Sequence, residues 1–155
     1  MTTKYAYYPG CSLHSTGSEY DASFRAVAGK LGIELEEVPG WVCCGASPAH
    51  ASSHLLSVAL PIKNLALAEY ANATQVAVPC PACYSRFKFA LYEINQDNKL
   101  KDDVKEIIGS AFQGNIKVLH SLEVMAKLPA AVLKENVKLK MDDLKVVCYY
   151  GCLLT

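Results

Sequence analysis

Gln75-Val76-Ala77-Val78-Pro79-Cys80-Pro81-Ala82-Cys83-Tyr84 is the stretch that decides the fold. Its first half is a short apolar run between turn-forming residues, which reads as a buried strand over 75–79. Pro81 then stands where a helix tolerates proline, at its first position, because the missing N–H has no intrahelical partner to lose. Tyr84, Phe87, Leu91 and Ile94 follow at helical spacing. A strand therefore runs straight into a helix, and two thiols sit at the junction.

The same unit recurs on both sides. Tyr5 to Pro9 reads as a strand closed by Gly10 and followed by Cys11. Ser18 starts a helix, with Asp21 as its capping-box partner and Tyr20, Phe24, Val27, Ala28 and Leu31 as its apolar face; Gly32 stops it. Ile33 to Val38 is the next strand, and Pro39-Gly40 turns it into Trp41, Val42, Cys43, Cys44 and Gly45. Ser53 to Asn72 has helical composition, and Pro61 must kink it or begin a second helix. Beyond the deciding stretch, 102–112 reads as a helix, 116–119 as a strand and 121–134 as a helix. Strands alternating with helices predict an α/β fold on a parallel sheet flanked by helices.

The 155 residues carry fifteen basic and fifteen acidic side chains, so net charge is zero and no electrostatic footprint for nucleic acid exists. Charged residues make up 19% of the chain, below the roughly 25% usual in soluble domains. The longest stretch without Asp, Glu, Lys or Arg, 38–62, is broken by prolines and histidines, so no membrane span is expected. Seven cysteines is an odd number, and Met1-Thr2-Thr3-Lys4 is no secretory leader. A cytoplasmic chain with thiols that hold metal or do redox chemistry is expected.

An internal repeat frames the domain organisation. Lys4-Tyr5-Ala6-Tyr7-Tyr8-Pro9-Gly10-Cys11 lies over Lys145-Val146-Val147-Cys148-Tyr149-Tyr150-Gly151-Cys152. The expectation is a first cysteine-rich domain over 1–135, a linker over 136–144, and the opening strand of a second such domain over 145–155.

Cys11, Cys43, Cys44, Cys80 and Cys83 each follow a predicted strand, so a parallel sheet brings them to its carboxyl edge, where such sheets bind ligands. Cys80 falls at a helix N-terminus, whose free amides and dipole favour a thiolate. Between Val38 and Ser85 only Lys63 and Glu69 are charged, which leaves a dry shell suited to a cluster. The residues alone leave three alternatives open: a cluster, a four-cysteine zinc site that needs only four of the five sulfurs, and a thioredoxin-type dithiol at Cys80 and Cys83. Cys148 aligns with Tyr7 and reads as an ordinary strand cysteine, whereas Cys152 aligns with Cys11. His50 and His54 read as satisfied or solvated side chains, Trp41 as core packing, and His14 as a proton donor candidate near Cys11.

Thirty-one residues separate Cys11 from Cys43, thirty-five separate Cys44 from Cys80, and two separate Cys80 from Cys83. With Tyr8-Pro9-Gly10-Cys11-Ser12-Leu13, Cys43-Cys44-Gly45-Ala46-Ser47 and Pro79-Cys80-Pro81-Ala82-Cys83-Tyr84, this pattern resembles the cysteine-rich CCG family, and in particular the N-terminal half of the B subunit of heterodisulfide reductase. The resemblance implies a Rossmann-like open sheet in each of two halves, and a non-cubane [4Fe-4S] cluster ligated by Cys11, Cys43, Cys44, Cys80 and Cys83. Cys152 would be the first ligand of a second site. It further implies an oxidoreductase that splits a small-molecule disulfide between two clusters. Its implied partners are the iron–sulfur C subunit, which delivers electrons, and the flavin-containing A subunit of a heterodisulfide reductase complex. CCG electron-transfer subunits of lactate or glycolate oxidation, and of succinate or fumarate respiration, are the related alternative.

Overall fold

A computed structural model describes residues 3–110, 112–139 and 142–154. In chain order the elements are β1 (Thr3–Tyr7), α1 (Gly10–Leu13), α2 (Ser18–Lys30), β2 (Ile33–Glu37), α3 (Pro48–Ser52), α4 (His54–Tyr70), β3 (Gln75–Ala77), α5 (Pro81–Gln96), α6 (Asn98–Ile108), β4 (Lys117–Leu119), α7 (Ser121–Ala126) and α8 (Ala130–Asn136). The four strands form one all-parallel sheet in the order β2-β1-β3-β4. The fold is therefore the expected α/β arrangement, an open parallel sheet flanked by helices.

Strand alternation sorts the core into two layers. Tyr5 and Tyr7 point to one face, where Phe24 of α2 and Val124 of α7 complete an apolar cluster with Ile33, Ala77 and Leu119. Tyr8, Val76, Val78 and Val118 join the other layer, which α4, α5 and α6 fill with Val58, Ile62, Leu65, Phe87, Ile94 and Val104. The ladder continues past the strand ends through Val38 N–H to Tyr7 O, Tyr8 N–H to Ala77 O and Val78 N–H to Leu119 O. Those bonds carry the backbone rigidly into the loops that bear the cysteines.

Several expectations change in detail. Ser18 and Asp21 form no capping box: Gly17 is the N-cap, Ser18 is the first helical residue, and Asp21 takes Arg25 and the Tyr7 hydroxyl instead. The predicted helix over 121–134 is two, because Pro129 has no N–H to continue α7 and instead precedes α8. The helix expected over 102–112 starts earlier, where Asp97 caps it by accepting from Lys99 and Leu100 N–H. Residues 142–154 contain no helix or strand, so over 145–154 the expected strand does not form; Val147 and Tyr149 are 92% and 94% exposed, and residue 155 lies outside the described residues. A lone strand without a neighbour has no ladder to satisfy its backbone.

Pro61 neither starts a helix nor ends one. The break falls at Ser53, whose extended backbone separates α3 from α4 and whose hydroxyl caps Leu56 N–H at 3.2 Å. Inside α4, Pro61 leaves the carbonyl of Ser57 without its helical donor. Arg86 of α5 reaches across and donates to that oxygen at 3.3 Å. Arg86→Leu should therefore cost about 1–2 kcal/mol in urea unfolding, and markedly less in a Pro61→Ala background, where the helix supplies the donor itself. Equal losses in both backgrounds would show that the bond does no such job.

Candidate metal centre

The chain moves from β1 outward to β2, then returns to place β3 on the other side of β1. The loops after β1 and β3 thus diverge, which creates the crevice where open parallel sheets bind ligands. Cys11 follows β1, Cys43 and Cys44 follow β2, and Cys80 and Cys83 follow β3.

Three of the five thiols are buried and two reach the surface: Cys44, Cys80 and Cys83 lie inside, Cys11 and Cys43 outside. Cys44 Sγ and Cys83 Sγ are 3.1 Å apart, and Cys11 Sγ and Cys43 Sγ are 3.9 Å apart. Cys83 interacts with Cys80 as well as Cys44. Among the described residues, no three His, Cys, Asp or Glu side chains are gathered closely enough to hold one metal ion. The sulfurs link as a chain, from Cys44 through Cys83 to Cys80, and as a pair, Cys11 with Cys43.

Close approach is built into the backbone at two glycines. Gly10 has φ +72°, and a Cβ there would lie 3.0 Å from Cys83 Sγ and 3.2 Å from Tyr8 Cε1. Gly45 has φ +73°, and its N–H donates to Cys43 Sγ at 3.4 Å. The loop between them is clamped at Val42. Asn64 Oδ1 accepts the Val42 N–H at 2.8 Å, while Asn64 Nδ2 and the Tyr8 hydroxyl donate to Val42 O at 2.9 and 2.8 Å. Tyr8 is itself held edge-on by Trp41 and Phe87. Trp41 packs as expected, and its indole N–H also donates to Glu37 at 2.9 Å.

Proton affinities across the site diverge. A hydrogen bond from Cys83 lowers the Cys80 thiol to about 5, against the opposing effect of burial; the Cys83 and Ala82 amides and the Ser12 hydroxyl help. No capping hydrogen bond closes at Cys80, which is the N-cap of α5, but the helix start still favours its thiolate. The same partner lowers Cys44 to about 7. Cys83, hydrogen-bonded with both and buried between them, is pushed up. Burial raises Tyr8, which stays protonated.

Cys80 and Cys44 bind fewer protons folded than unfolded at pH values below the ordinary thiol range. Their contribution to stability is thus full above about pH 9 and is lost as pH falls through about 7 and then about 5. The metal-free chain should show thiolate absorbance in two steps near those values, and Cys80→Ser should remove the lower one. A single step in the ordinary thiol range would contradict the geometry.

His14 lies edge-on to Trp41 with Nε2 3.4 Å from Glu37, at the rim near Cys11. His54 pairs with Glu93 at 2.8 Å, while His50 is exposed on α3; the break at Ser53 keeps the two off a common helical face. Cys148 and Cys152 are exposed in the segment without helix or strand. A cleft of about 460 Å³, lined by residues including Lys4, Glu36, Asn72 and Thr74, contains none of the cysteines. Sequence reasoning missed Asn64 and His120. A lone amide in the apolar run of α4, and His120 three residues before Glu123, were the available signals.

The model of the CCG cysteine-rich domain matches residues 5–88, which takes in Cys11, Cys43, Cys44, Cys80 and Cys83 as well as Asn64. The chain belongs to the CCG cysteine-rich domain family. It is 36% identical to the 8-methylmenaquinol:fumarate reductase membrane anchor subunit of Wolinella succinogenes, over 98% of this chain and 53% of that protein. It is 28% identical to a protein of Archaeoglobus profundus described as like the B subunit of heterodisulfide reductase, over 96% of this chain and 51% of the relative. The B subunit of the ferredoxin:CoB-CoM heterodisulfide reductase of Methanosarcina mazei is 27% identical with the same coverage. The chain spans about half the length of these curated relatives. Among the described residues of this CCG chain, no helix is long and apolar enough to cross a membrane.

Proposed function

We propose that Cys11, Cys43, Cys44, Cys80 and Cys83 hold an iron–sulfur cluster of the non-cubane [4Fe-4S] type in a redox protein that reduces a small-molecule disulfide. The observation that carries this reading is five thiols brought together by the loops at the switch point of the sheet, with Cys44 Sγ 3.1 Å from Cys83 Sγ and Cys11 Sγ 3.9 Å from Cys43 Sγ. The donor set fits such a group. Zinc takes four donors around a single ion, whereas five sulfurs linked as three and two suit a group that spans several atoms.

When bound, the cluster would supply single electrons and an iron centre with affinity for substrate sulfur. The chain supplies the rest. Cys80 and Cys44 offer thiolates near neutral pH, Gly10 lets the backbone close on Cys83, and the Asn64 and Tyr8 clamp fixes the Cys43-Cys44 loop. The stretch from Val38 to Ser85, charged only at Lys63 and Glu69, surrounds the buried sulfurs of Cys44, Cys80 and Cys83 with little charge. Exposed Cys11 and Cys43 mark the side from which a substrate or a second cysteine-rich half approaches, with Cys152 as the first ligand of that half's site. The proposed partners are a small iron–sulfur protein and a larger flavin-containing one, in the cytoplasm.

A second reading, an iron–sulfur subunit of a quinol:fumarate oxidoreductase, is favoured by the 36% identity to the Wolinella succinogenes protein. Assay of the intact complex, purified anaerobically, separates the two. Release of two thiols per disulfide with reduced viologen as donor is expected. Fumarate reduction without thiol release would establish the second reading and overturn the first.

A further inference from the structure

His120 lies outside the stretch that defines the family, yet it reaches back to the cysteine turn. It follows β4 as the N-cap of α7 and is 5% exposed. Its Nδ1 accepts the Leu122 N–H at 3.3 Å, so that nitrogen carries no proton and the ring is the neutral Nε2–H tautomer. Nε2 then donates to the carbonyl of Pro79 at 2.7 Å. Glu123 accepts the backbone N–H of His120 at 2.7 Å, and the ring itself is met by Ser121 Oγ, 3.4 Å from Nδ1, and by Tyr84 of α5, which packs edge-on.

The Pro79 carbonyl belongs to the peptide plane that enters Cys80. Rotation of that plane changes φ of Cys80, and with it the direction of the Cys80 sulfur. Pro79 has no N–H, so its carbonyl is the hydrogen-bonding handle on that side of the turn. A rigid buried donor on this oxygen therefore fixes where the sulfur stands at the start of α5. We propose that His120 is a positioning residue for Cys80, setting how tightly the five-thiol site holds its metal by locking the Pro79–Cys80 peptide. The proposal rests on the reading of these thiols as ligands.

The test titrates the full chain, reduced and anaerobic, with Co(II), and compares wild type, His120→Phe and His120→Gln. Phe keeps the ring's bulk without a donor; Gln keeps an N–H donor at similar reach. His120→Phe should bind Co(II) about 10–100-fold more weakly and shift the sulfur-to-cobalt charge-transfer band, and His120→Gln should restore both, with circular dichroism unchanged. If His120→Phe does not fold, His120→Gln carries the test alone: a band and affinity within about threefold of wild type support the proposal, and a larger loss overturns it. Identical affinity and band in wild type and His120→Phe overturn the positioning role and leave the thiol site standing. A wild type that takes up no Co(II) overturns the proposal, while the cluster reading stands or falls on iron and sulfide content.

Discussion

Gly45→Ala should lose about 2–5 kcal/mol of stability, a large share of the roughly 5–15 kcal/mol that holds a domain folded. The cause is twofold. At φ +73° an L-residue is strained by about 1–2 kcal/mol, and the added Cβ would lie 2.7 Å from Ala49 Cβ and 2.8 Å from Leu60 Cδ1. Ala49 cannot yield, since its Cβ is fixed to the backbone of α3; relief must come from moving the helix or the Cys43-Cys44 loop. Gly40→Ala is the matched control, because Gly40 has φ +70° but nothing within 4 Å of the added atom. It should lose only the strain, about 1–2 kcal/mol. Denaturant midpoints giving equal losses at the two positions would show that the close packing of the loop on α3 and α4 is not what fixes it.

Cys83→Ser should abolish stable iron binding, whereas Cys148→Ser should leave it unchanged. Cys83 is the thiol that faces two others: its sulfur is 3.1 Å from Cys44 Sγ and it also interacts with Cys80. Serine keeps the size and some hydrogen bonding but lacks the thiolate that iron prefers. Cys148 sits exposed in a segment without helix or strand. Iron per chain after anaerobic reconstitution measures both, and retention of wild-type iron in Cys83→Ser would remove Cys83 from the ligand set.

Much of this site was legible because it depends on strand order and strand ends, which leave clear marks. Apolar runs stopping at Pro79, at Gly10 and at Pro39-Gly40 marked three strand termini, and each was followed by cysteine. Parallel pairing then brought those ends to one edge. Less legible were features set by contacts between distant residues. Asp21 fits a capping box by spacing, yet a tyrosine hydroxyl and an arginine compete for it and win. Pro61 reads as a breaker, and only Arg86, twenty-five residues on, supplies what the helix lacks. Asn64 and His120 act through backbone groups of Val42 and Pro79, and no local pattern announces a side chain's partner that far away. Residues 142–154 show the converse. Its apolar sequence has strand character, but character without a ladder partner produces no strand.

Metal content of the full chain, purified and reconstituted without oxygen, separates a cluster from a single-ion site. Close to four irons with matching inorganic sulfide are expected for the five-cysteine site, as the proposed [4Fe-4S] cluster requires. Stoichiometric zinc, with neither iron nor sulfide after the same treatment, would contradict it and leave the cysteines as a structural site.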